Sequence, residues 1–227
     1  MKVGTDAMLL GAFTKTRQAA RILDIGTGTG VLALIMAQKT AAANIDAIEI
    51  NSDAAEEATE NIAASPWKER VKVLPVSLQE FTDSAPEKYD LITCNPPYFE
   101  ERNDTKGNNA QHTLASRRIA RSEGSLRLSD LVFCVKELLN QDGRFSLILP
   151  SAKLEELKVE VEKQEMFLNR IIHIRSYPDA PFIRIITEVG FQNLQLRQEH
   201  FTIYESQRKY SQEYITLTKY LHGKSLE

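Results

Sequence analysis

Residues 90–98 read Asp-Leu-Ile-Thr-Cys-Asn-Pro-Pro-Tyr, an apolar run that opens on an acidic residue and stops at two prolines. Such a run predicts a buried strand of a parallel sheet, and the strand must end at Asn95 because proline cannot donate a hydrogen bond to a neighbouring strand. Proline also favours extended backbone in the residue before it, so we expect the Asn95 amide to project from the carboxyl end of the strand. Open α/β sheets bind their ligands at that edge.

Three groups in this stretch suit the same kind of ligand. The Asn95 amide oxygen is a hydrogen-bond acceptor, and the Pro96 carbonyl is a second one for which no local amide hydrogen competes. Tyr98 adds a flat aromatic face. Two acceptors beside a ring fit a planar base that carries an exocyclic amino group. Taken alone, the stretch also fits an ordinary turn between a strand and a loop.

A second stretch, residues 21–30, predicts a short buried strand, a glycine loop and the start of a helix at Val31. A dinucleotide-binding fingerprint requires a third glycine at position 31, so the valine there disfavours pyrophosphate binding. The spacing of one aspartate and three glycines instead lets a small ligand approach bare backbone, with the aspartate able to accept from a ligand ammonium group. These four residues are Asp24, Gly26, Gly28 and Gly30.

Glu49 ends the next predicted strand. An acid at this place can accept hydrogen bonds from ribose hydroxyls. An acidic residue at a strand end is also often a solvated residue without a ligand, and the sequence leaves both interpretations open.

Strand and helix patterns alternate along most of the chain. Further strands are predicted at 71–76, 144–149, 170–175 and 183–189, and the proline-bounded turn at 177–181 is too short for a crossover helix, so the last pair must be antiparallel. This order predicts an α/β fold, a doubly wound, mostly parallel seven-stranded sheet with an antiparallel last strand of the Rossmann-like kind.

Composition limits the classes of protein that fit. The 227 residues are 42% hydrophobic and 26% charged, which suits one globular domain over residues 1–227. Neither a membrane-spanning run nor a signal sequence is seen, and the two cysteines, Cys94 and Cys134, lie in apolar stretches, so we expect a cytoplasmic protein with no membrane partner. No spacing of His, Cys and Asp suggests a metal site.

Charge is distributed unevenly. The net charge of −3 argues against a broadly basic nucleic-acid binder, but residues 102–127 carry six Lys and Arg against two acidic residues. Residues 99–127 form a long polar segment, which predicts a functional lid rather than a connector. Arg117, Arg118 and Arg121 are the predicted contacts to RNA phosphates, although a solvated helix face is the plainer interpretation.

Taken together, the chain resembles the bacterial tRNA1(Val) adenine-N6 methyltransferases, which are class I methyltransferases that use S-adenosylmethionine. The resemblance runs over nearly the whole chain. It is carried by Lys2-Val-Gly-Thr-Asp6, Asp24-Ile-Gly-Thr-Gly-Thr-Gly30, Glu49, Ser65-Pro-Trp67, Asn95-Pro-Pro-Tyr98 and Tyr210-Ser-x-x-Tyr214.

The resemblance implies roles for particular residues. The segment from Lys2 to Asp6 would close over the methionine part of the cofactor, and Asn95 with Tyr98 would receive the target adenine of a tRNA anticodon loop. The residues that it implies in cofactor binding are Lys2, Thr5, Asp24, Gly26, Gly28, Glu49, Ser77, Leu78 and Asn95.

Two departures from the family pattern stand out. Family members usually carry an additional segment before the Lys-Val-Gly-Thr-Asp stretch, so the chain is expected to lack a short N-terminal segment. Ser77 stands where relatives commonly have an aspartate that contacts the adenine amino group of the cofactor, so that contact is expected to be weaker or made by backbone.

Three other functions fit parts of the pattern. A protein glutamine N5-methyltransferase would present a side-chain amide to the same Asn-Pro-Pro-Tyr motif, but the glycine-rich segment usual after the motif is missing at 99–103. A catalytically silent RNA-binding module is disfavoured by the intact glycine loop. A DNA adenine methyltransferase is disfavoured because no length remains for a target-recognition domain.

Overall fold

Strands and helices alternate along the chain as their periodicities predict. The structure, a computed structural model, describes residues 4–41, 44–84, 87–96 and 126–221. The helices are α1 Thr5–Phe13, α2 Val31–Lys39, α3 Ser52–Ala63, α4 Leu78–Ser84, α5 Leu128–Leu138, α6 Leu154–Lys163 and α7 Gln212–Thr218, with a 3-10 turn at Ser151–Lys153. The strands are β1 Arg21–Ile25, β2 Asn44–Glu49, β3 Val71–Pro75, β4 Tyr89–Cys94, β5 Leu139–Pro150, β6 Phe167–Arg175, β7 Phe182–Gly190, β8 Arg197–Thr202, β9 Tyr204–Ser206 and β10 Lys209–Tyr210.

Eight of these strands form one sheet in the order β3-β2-β1-β4-β5-β7-β6-β8. The first five strands of the chain run parallel, with β1 between β2 and β4, so that Ile25 lies opposite both Ile48 and Cys94. Strand β7 runs antiparallel between β5 and β6. The fold class is therefore confirmed: a doubly wound, mostly parallel α/β sheet that contains an antiparallel strand.

The predicted count of seven strands was one too few. The described sheet has an eighth strand, β8, which pairs parallel to β6 at the edge, so the antiparallel β7 is not the last strand. Strand β8 begins with four exposed polar residues, Arg197 to His200. An edge strand that buries so little of itself lacks the apolar alternation on which the sequence prediction relied.

Strand β5 also begins earlier than predicted, at Leu139 rather than Arg144. Its pairing with β4 is irregular, because Tyr89 lies opposite Leu139 while Leu91 lies opposite Arg144. The residues between Leu139 and Arg144 form an irregular, bulge-like segment of the strand. In the sequence, Asp142-Gly143 within this segment resembles a turn.

Helices cover both faces of the sheet. Leu91 belongs to the same core cluster as Met8 and Leu10 of α1, whereas its neighbour Ile92 belongs to a second cluster with Leu131 of α5. Both β4 side chains are fully buried. Burying an aliphatic side chain of this size stabilises the fold by about 1.5–3 kcal/mol, so the central strand is fixed from both sides. No helix within the described segments has the length and apolar character needed to cross a bilayer.

Candidate active site

The glycine loop joins β1 to α2 at the carboxyl edge of the sheet. Gly26, Gly28 and Gly30 have φ angles of 64°, 57° and 84°, which place all three in the left-handed region. Residues with a Cβ rarely adopt this conformation, so the path of the loop requires glycine at these positions. The Thr27 amide donates to the Ile48 carbonyl at 3.0 Å, which fixes the loop against β2.

Asp24, on strand β1, holds this loop through hydrogen bonds. Its carboxylate is 1% exposed and accepts hydrogen bonds from the Thr27 hydroxyl at 2.6 Å and from the Thr93 hydroxyl of β4 at 2.9 Å. Burial raises the pKa of Asp24 to about 6, even though these hydroxyl donors favour the carboxylate. The side chain therefore links the loop to the strand that carries Asn95, and its contact with a ligand ammonium group stays a prediction.

Glu49 connects the glycine loop to the start of α3. One carboxylate oxygen accepts from the Gly28 amide and the other from the Asn51 amide, each at 2.9 Å. Asn51 in turn caps α3, because its side chain accepts from the Ala54 amide at 2.9 Å. Each carboxylate oxygen has a second lone pair, so Glu49 can still accept hydrogen bonds from a ligand.

A cleft of about 620 Å³ opens at this edge. It brings together predicted cofactor residues from the N-terminal segment, the glycine loop and β2 with the first two residues of the Asn-Pro-Pro-Tyr motif. A Cβ added at Gly26 or Gly28 would meet no protein atom within 4 Å, so a ligand can approach bare backbone there. The residues that line the cleft are Gly4, Thr5, Asp6, Gly26, Gly28, Glu49, Asn95 and Pro96.

Asn95 is half-buried and Pro96 is buried at the end of β4. The side-chain amide of Asn95 forms no hydrogen bond with any other described residue. The sequence predicted that the strand ends at Asn95; it ends one residue earlier, at Cys94, so the Asn95 side-chain amide lies beyond the last paired residue. Burial raises the pKa of the Cys94 thiol well above its usual value, which leaves it an inert core group beside the site.

The start of α1 is held at the cleft by an ion pair. Asp6 lies on α1, and the Arg184 guanidinium of β7 donates to its carboxylate at 3.0 Å. The two side chains are 25% and 23% exposed, so the pair is only partly screened by water. This contact fixes Gly4 and Thr5 beside the glycine loop.

Ser77 and Leu78 lie outside the residues that line the cleft. The Ser77 hydroxyl donates to the Glu80 carboxylate at 2.6 Å and accepts from the Glu80 amide at 3.2 Å, a reciprocal cap at the start of α4. Leu78 is 5% exposed and packs in the core. Their contact with a cofactor stays a prediction.

Five predicted site residues lie outside the described residues. They are Lys2, Tyr98, Arg117, Arg118 and Arg121.

Sequence reasoning missed several residues that the structure places at the site. Thr93 was not singled out because a buried threonine in an apolar strand looks like any core residue, and Asp6 was not assigned its partner because Arg184 is 178 positions away. Ile50 directly follows Glu49 and is 56% exposed. An isoleucine directly after the acid that ends β2, for which a ribose contact is predicted, was a signal that the sequence did offer.

Comparisons with known proteins agree with this geometry. The family model described as "Methyltransferase small domain" matches residues 2–147. A tRNA1(Val) (adenine(37)-N6)-methyltransferase of Parabacteroides distasonis is 39% identical over 223 residues, which cover 96% of this chain and 90% of that protein.

Solved structures show the same fold. A predicted O-methyltransferase from Agrobacterium tumefaciens superposes with a TM-score of 0.72 at 17% identity, over 95% of this chain and 96% of that one. An O-methyltransferase of a Brevibacillus brevis multienzyme, solved in complex with S-adenosyl-L-homocysteine, superposes with a TM-score of 0.53 at 17% identity, over 74% of this chain and 54% of that one.

The fold, the glycine loop and the cleft at the carboxyl edge define a class I methyltransferase, the class whose methyl donor is S-adenosylmethionine. Within that class the chain belongs to the family of tRNA1(Val) (adenine(37)-N6)-methyltransferases. The family predicted from the motifs is thereby confirmed.

Proposed function

We propose that this protein transfers a methyl group from S-adenosylmethionine to N6 of an adenosine in tRNA, at position 37 next to the anticodon of tRNA1(Val). The observation that carries the proposal is the cleft that places Asn95 and Pro96 beside the glycine loop and Glu49. The substrate named for its relatives, an adenine in a tRNA, has the exocyclic amino group that these acceptors suit.

The residues present fit the cofactor. Gly26 and Gly28 leave open space beside bare backbone, and Glu49 keeps acceptor lone pairs for ribose hydroxyls. Ile50 offers an exposed apolar surface directly beyond Glu49, which suits one face of an adenine ring. When bound, S-adenosylmethionine supplies a methyl group that its sulfonium charge already activates.

The protein's own groups act mainly by positioning the acceptor. The amino nitrogen of adenine is a weak nucleophile because its lone pair is delocalised into the ring. When the Asn95 amide oxygen and the Pro96 carbonyl each accept one hydrogen of this amino group, the nitrogen is drawn toward a tetrahedral form and its lone pair is freed. The same acceptors stabilise the positive charge that develops on nitrogen, so no side chain needs to abstract the proton first.

The target base must leave its stack before it can enter the cleft. We assign Tyr98 to stacking on the extruded base, an interaction worth roughly 1–3 kcal/mol. Arg117, Arg118 and Arg121 are assigned to the RNA phosphates. An anticodon loop is already single-stranded, so extruding a base costs less free energy there than in a duplex.

A tRNA substrate also fits the cytoplasmic location expected from the sequence.

The substrate can be tested with three transcripts of tRNA1(Val) that carry adenosine, inosine or guanosine at position 37. The purified protein with S-adenosylmethionine should methylate N6 of the adenosine transcript alone, as read by mass mapping of nuclease fragments. Two acceptors repel the O6 carbonyl of guanine or inosine, so those transcripts should bind without being modified. Methylation of the guanosine transcript, or of a glutamine-containing peptide in preference to RNA, would contradict the proposal.

A further inference from the structure

Four tyrosine rings form a continuous stack beside strands β6 and β8, at the end of the sheet away from β2 and β3. The ring centroids are 5.5 Å apart between Tyr177 and Tyr204, 5.0 Å between Tyr204 and Tyr210, and 4.5 Å between Tyr210 and Tyr214. The innermost ring, Tyr214, is 2% exposed, whereas the outermost, Tyr177, is 40% exposed. Among the described residues, Tyr204 is the only aromatic residue whose ring contacts that of Tyr177, so the stack ends in a ring that water reaches.

Backbone contacts hold the stack in place. The Tyr204 amide donates to the Ser176 carbonyl at 2.9 Å, which joins strand β9 to the turn that carries Tyr177. The Ser211 hydroxyl donates to the Thr202 carbonyl at 2.6 Å and accepts from the Tyr214 amide at 3.1 Å, so it caps α7 and orients its first turn. The motif Tyr210-Ser-x-x-Tyr214 thus builds the inner half of the stack.

The exposed end of the stack lies at the same edge of the sheet as the cleft. Arg175 at the carboxyl end of β6 pairs with Phe182 of β7 and with Thr202 of β8, and β7 begins where β5 ends. The turn at 176–181 therefore continues the edge formed by the carboxyl ends of β1, β2 and β4. Three strand spacings separate β4 from β6, a distance of about 15 Å at about 4.8 Å per strand.

The chemistry of this surface suits unpaired RNA. An exposed aromatic ring can stack on any base, and nearby cations can contact the backbone phosphates. Burial raises the pKa of Tyr204 and raises that of Tyr214 to about 12, so these rings stay neutral near phosphate at physiological pH. Arg208 lies on the exposed turn between β9 and β10 and forms no ion pair with any described residue.

We propose that Tyr177 is a second contact for the RNA substrate, on which an unpaired nucleotide near the methylated adenosine stacks while Arg208 contacts a neighbouring phosphate. This inference rests on the proposed tRNA methyl transfer. The shared sheet edge supports it, because an RNA loop bound with one base in the cleft extends along that edge. The three inner tyrosines support the platform, and the outermost ring is the part left for a ligand.

The test compares Tyr177→Ala with Tyr177→Phe and with a matched control, Tyr220→Ala. Tyr220 is also exposed, but its carbonyl accepts from Gln38 near the end of α2, at the opposite edge of the sheet. Binding of an anticodon stem–loop RNA should weaken roughly 10-fold in Tyr177→Ala and stay near the parental value in the other two variants. In turnover, KM for tRNA should rise while kcat at saturating tRNA and the affinity for S-adenosylmethionine stay unchanged.

Arg208→Asn tests the phosphate contact separately. Arg208 has a φ of 63°, and asparagine tolerates this left-handed conformation, so the turn is kept while the charge is removed. The slope of log affinity against log salt should fall by about 0.7–0.9.

Failure of this inference and failure of the proposed function give different results. Parental RNA affinity in Tyr177→Ala, with wild-type protein that methylates tRNA, would overturn the inference and leave the proposed function in place. Wild-type protein that binds the stem–loop through Tyr177 without methylating any tRNA would overturn the proposed function and support the RNA contact.

Discussion

The two halves of the sheet edge are built in different ways. In the cleft half, several contacts join residues that lie close together in sequence, as when Thr27 donates to Asp24 and Asn51 donates to Glu49. In the tyrosine half, the key contacts join separate elements, as when Tyr204 packs between Tyr177 and Tyr210. The comparison shows that much of the cofactor-binding half can be recognised from short sequence motifs. The half proposed to bind RNA is formed by contacts between elements that come together only in the folded protein.

Asn95→Ala is the sharpest test of the cleft half, because we assign to Asn95 an interaction that strengthens in the transition state. Turnover should fall by about 10²-fold or more, while the affinity for S-adenosylmethionine measured by calorimetry stays near the parental value. Asn140→Ala is the matched control, since Asn140 donates to Asp90 at the opposite end of the same strand, at 2.7 Å. Near-normal turnover in Asn95→Ala would remove Asn95 from the mechanism.

Asp24→Asn tests whether burial raises the pKa of the carboxyl that holds the loop. The folded pKa of Asp24, about 6, lies above the ordinary value of 3.8, so the folded protein binds this proton more tightly than the unfolded chain does. The contribution of Asp24 to stability is therefore fully present below about pH 4 and is lost as the pH rises to about 6. The Asp24→Asn variant has no carboxyl at this position, so it does not lose stability in this way as the pH rises.

The measurement is urea unfolding of both proteins from pH 4 to pH 7. The free energy of unfolding of Asp24→Asn minus that of the wild type should rise with pH by on the order of 2 kcal/mol and level off above pH 6. A difference independent of pH would show that Asp24 titrates normally.

Glu49→Ala should raise the dissociation constant for S-adenosylmethionine about 10-fold. The substitution removes the ribose acceptor and leaves the Gly28 and Asn51 amides without their carboxylate partner. The modified base should stay the same, because the ribose contact is remote from the acceptor. Glu57→Ala, an exposed acid on α3, is the control, and equal cofactor affinity in the two variants would reject the assignment.

The smallest expected effect is on RNA affinity when Arg117, Arg118 and Arg121 are replaced together by alanine. Each lost phosphate contact should reduce the slope of log affinity against log salt by about 0.7–0.9, with cofactor affinity unchanged. Lys158→Ala with Lys163→Ala gives a control on α6, where both lysines pair with glutamates on the same helix. If the triple-alanine variant keeps the parental salt slope, these arginines do not contact phosphates and belong to a solvated helix face.

The cleft half was predictable because its signals are local. The glycines at positions 26 and 28 are a local signal for a loop that takes left-handed backbone conformations. The prolines after Asn95 are a local signal for the end of β4. The sequence also predicted that Glu49 ends β2. It did not reveal that Glu49 binds the Gly28 amide, since that contact depends on how β2 aligns with β1.

The tyrosine half was only partly predictable. The antiparallel pair β6 and β7 followed from the short proline-bounded turn, but strand β8 lacks an alternating apolar face and its parallel pairing with β6 was missed. The sequence predicts a terminal helix at 211–221 with Tyr210, Tyr214 and Tyr220 packing on the sheet; Tyr214 is buried, but Tyr220 is 74% exposed and that part of the prediction was wrong. Nothing in their spacing predicted that Tyr177 would extend the row, because its position is set by the pairing of β6 with β8.

The ion pair between Asp6 and Arg184 also matters while the protein is being made. Asp6 leaves the ribosome before its partner on β7, Arg184, which is 178 residues further along the chain. At translation rates of about 5–20 residues per second, Arg184 is synthesised roughly 10–35 s after Asp6. The glycine loop and β2 can assemble early in that interval, but the wall of the cleft formed by Gly4 and Thr5 is fixed only near the end of synthesis. A nascent chain halted before β7 therefore carries the motifs of a methyltransferase without a closed binding site.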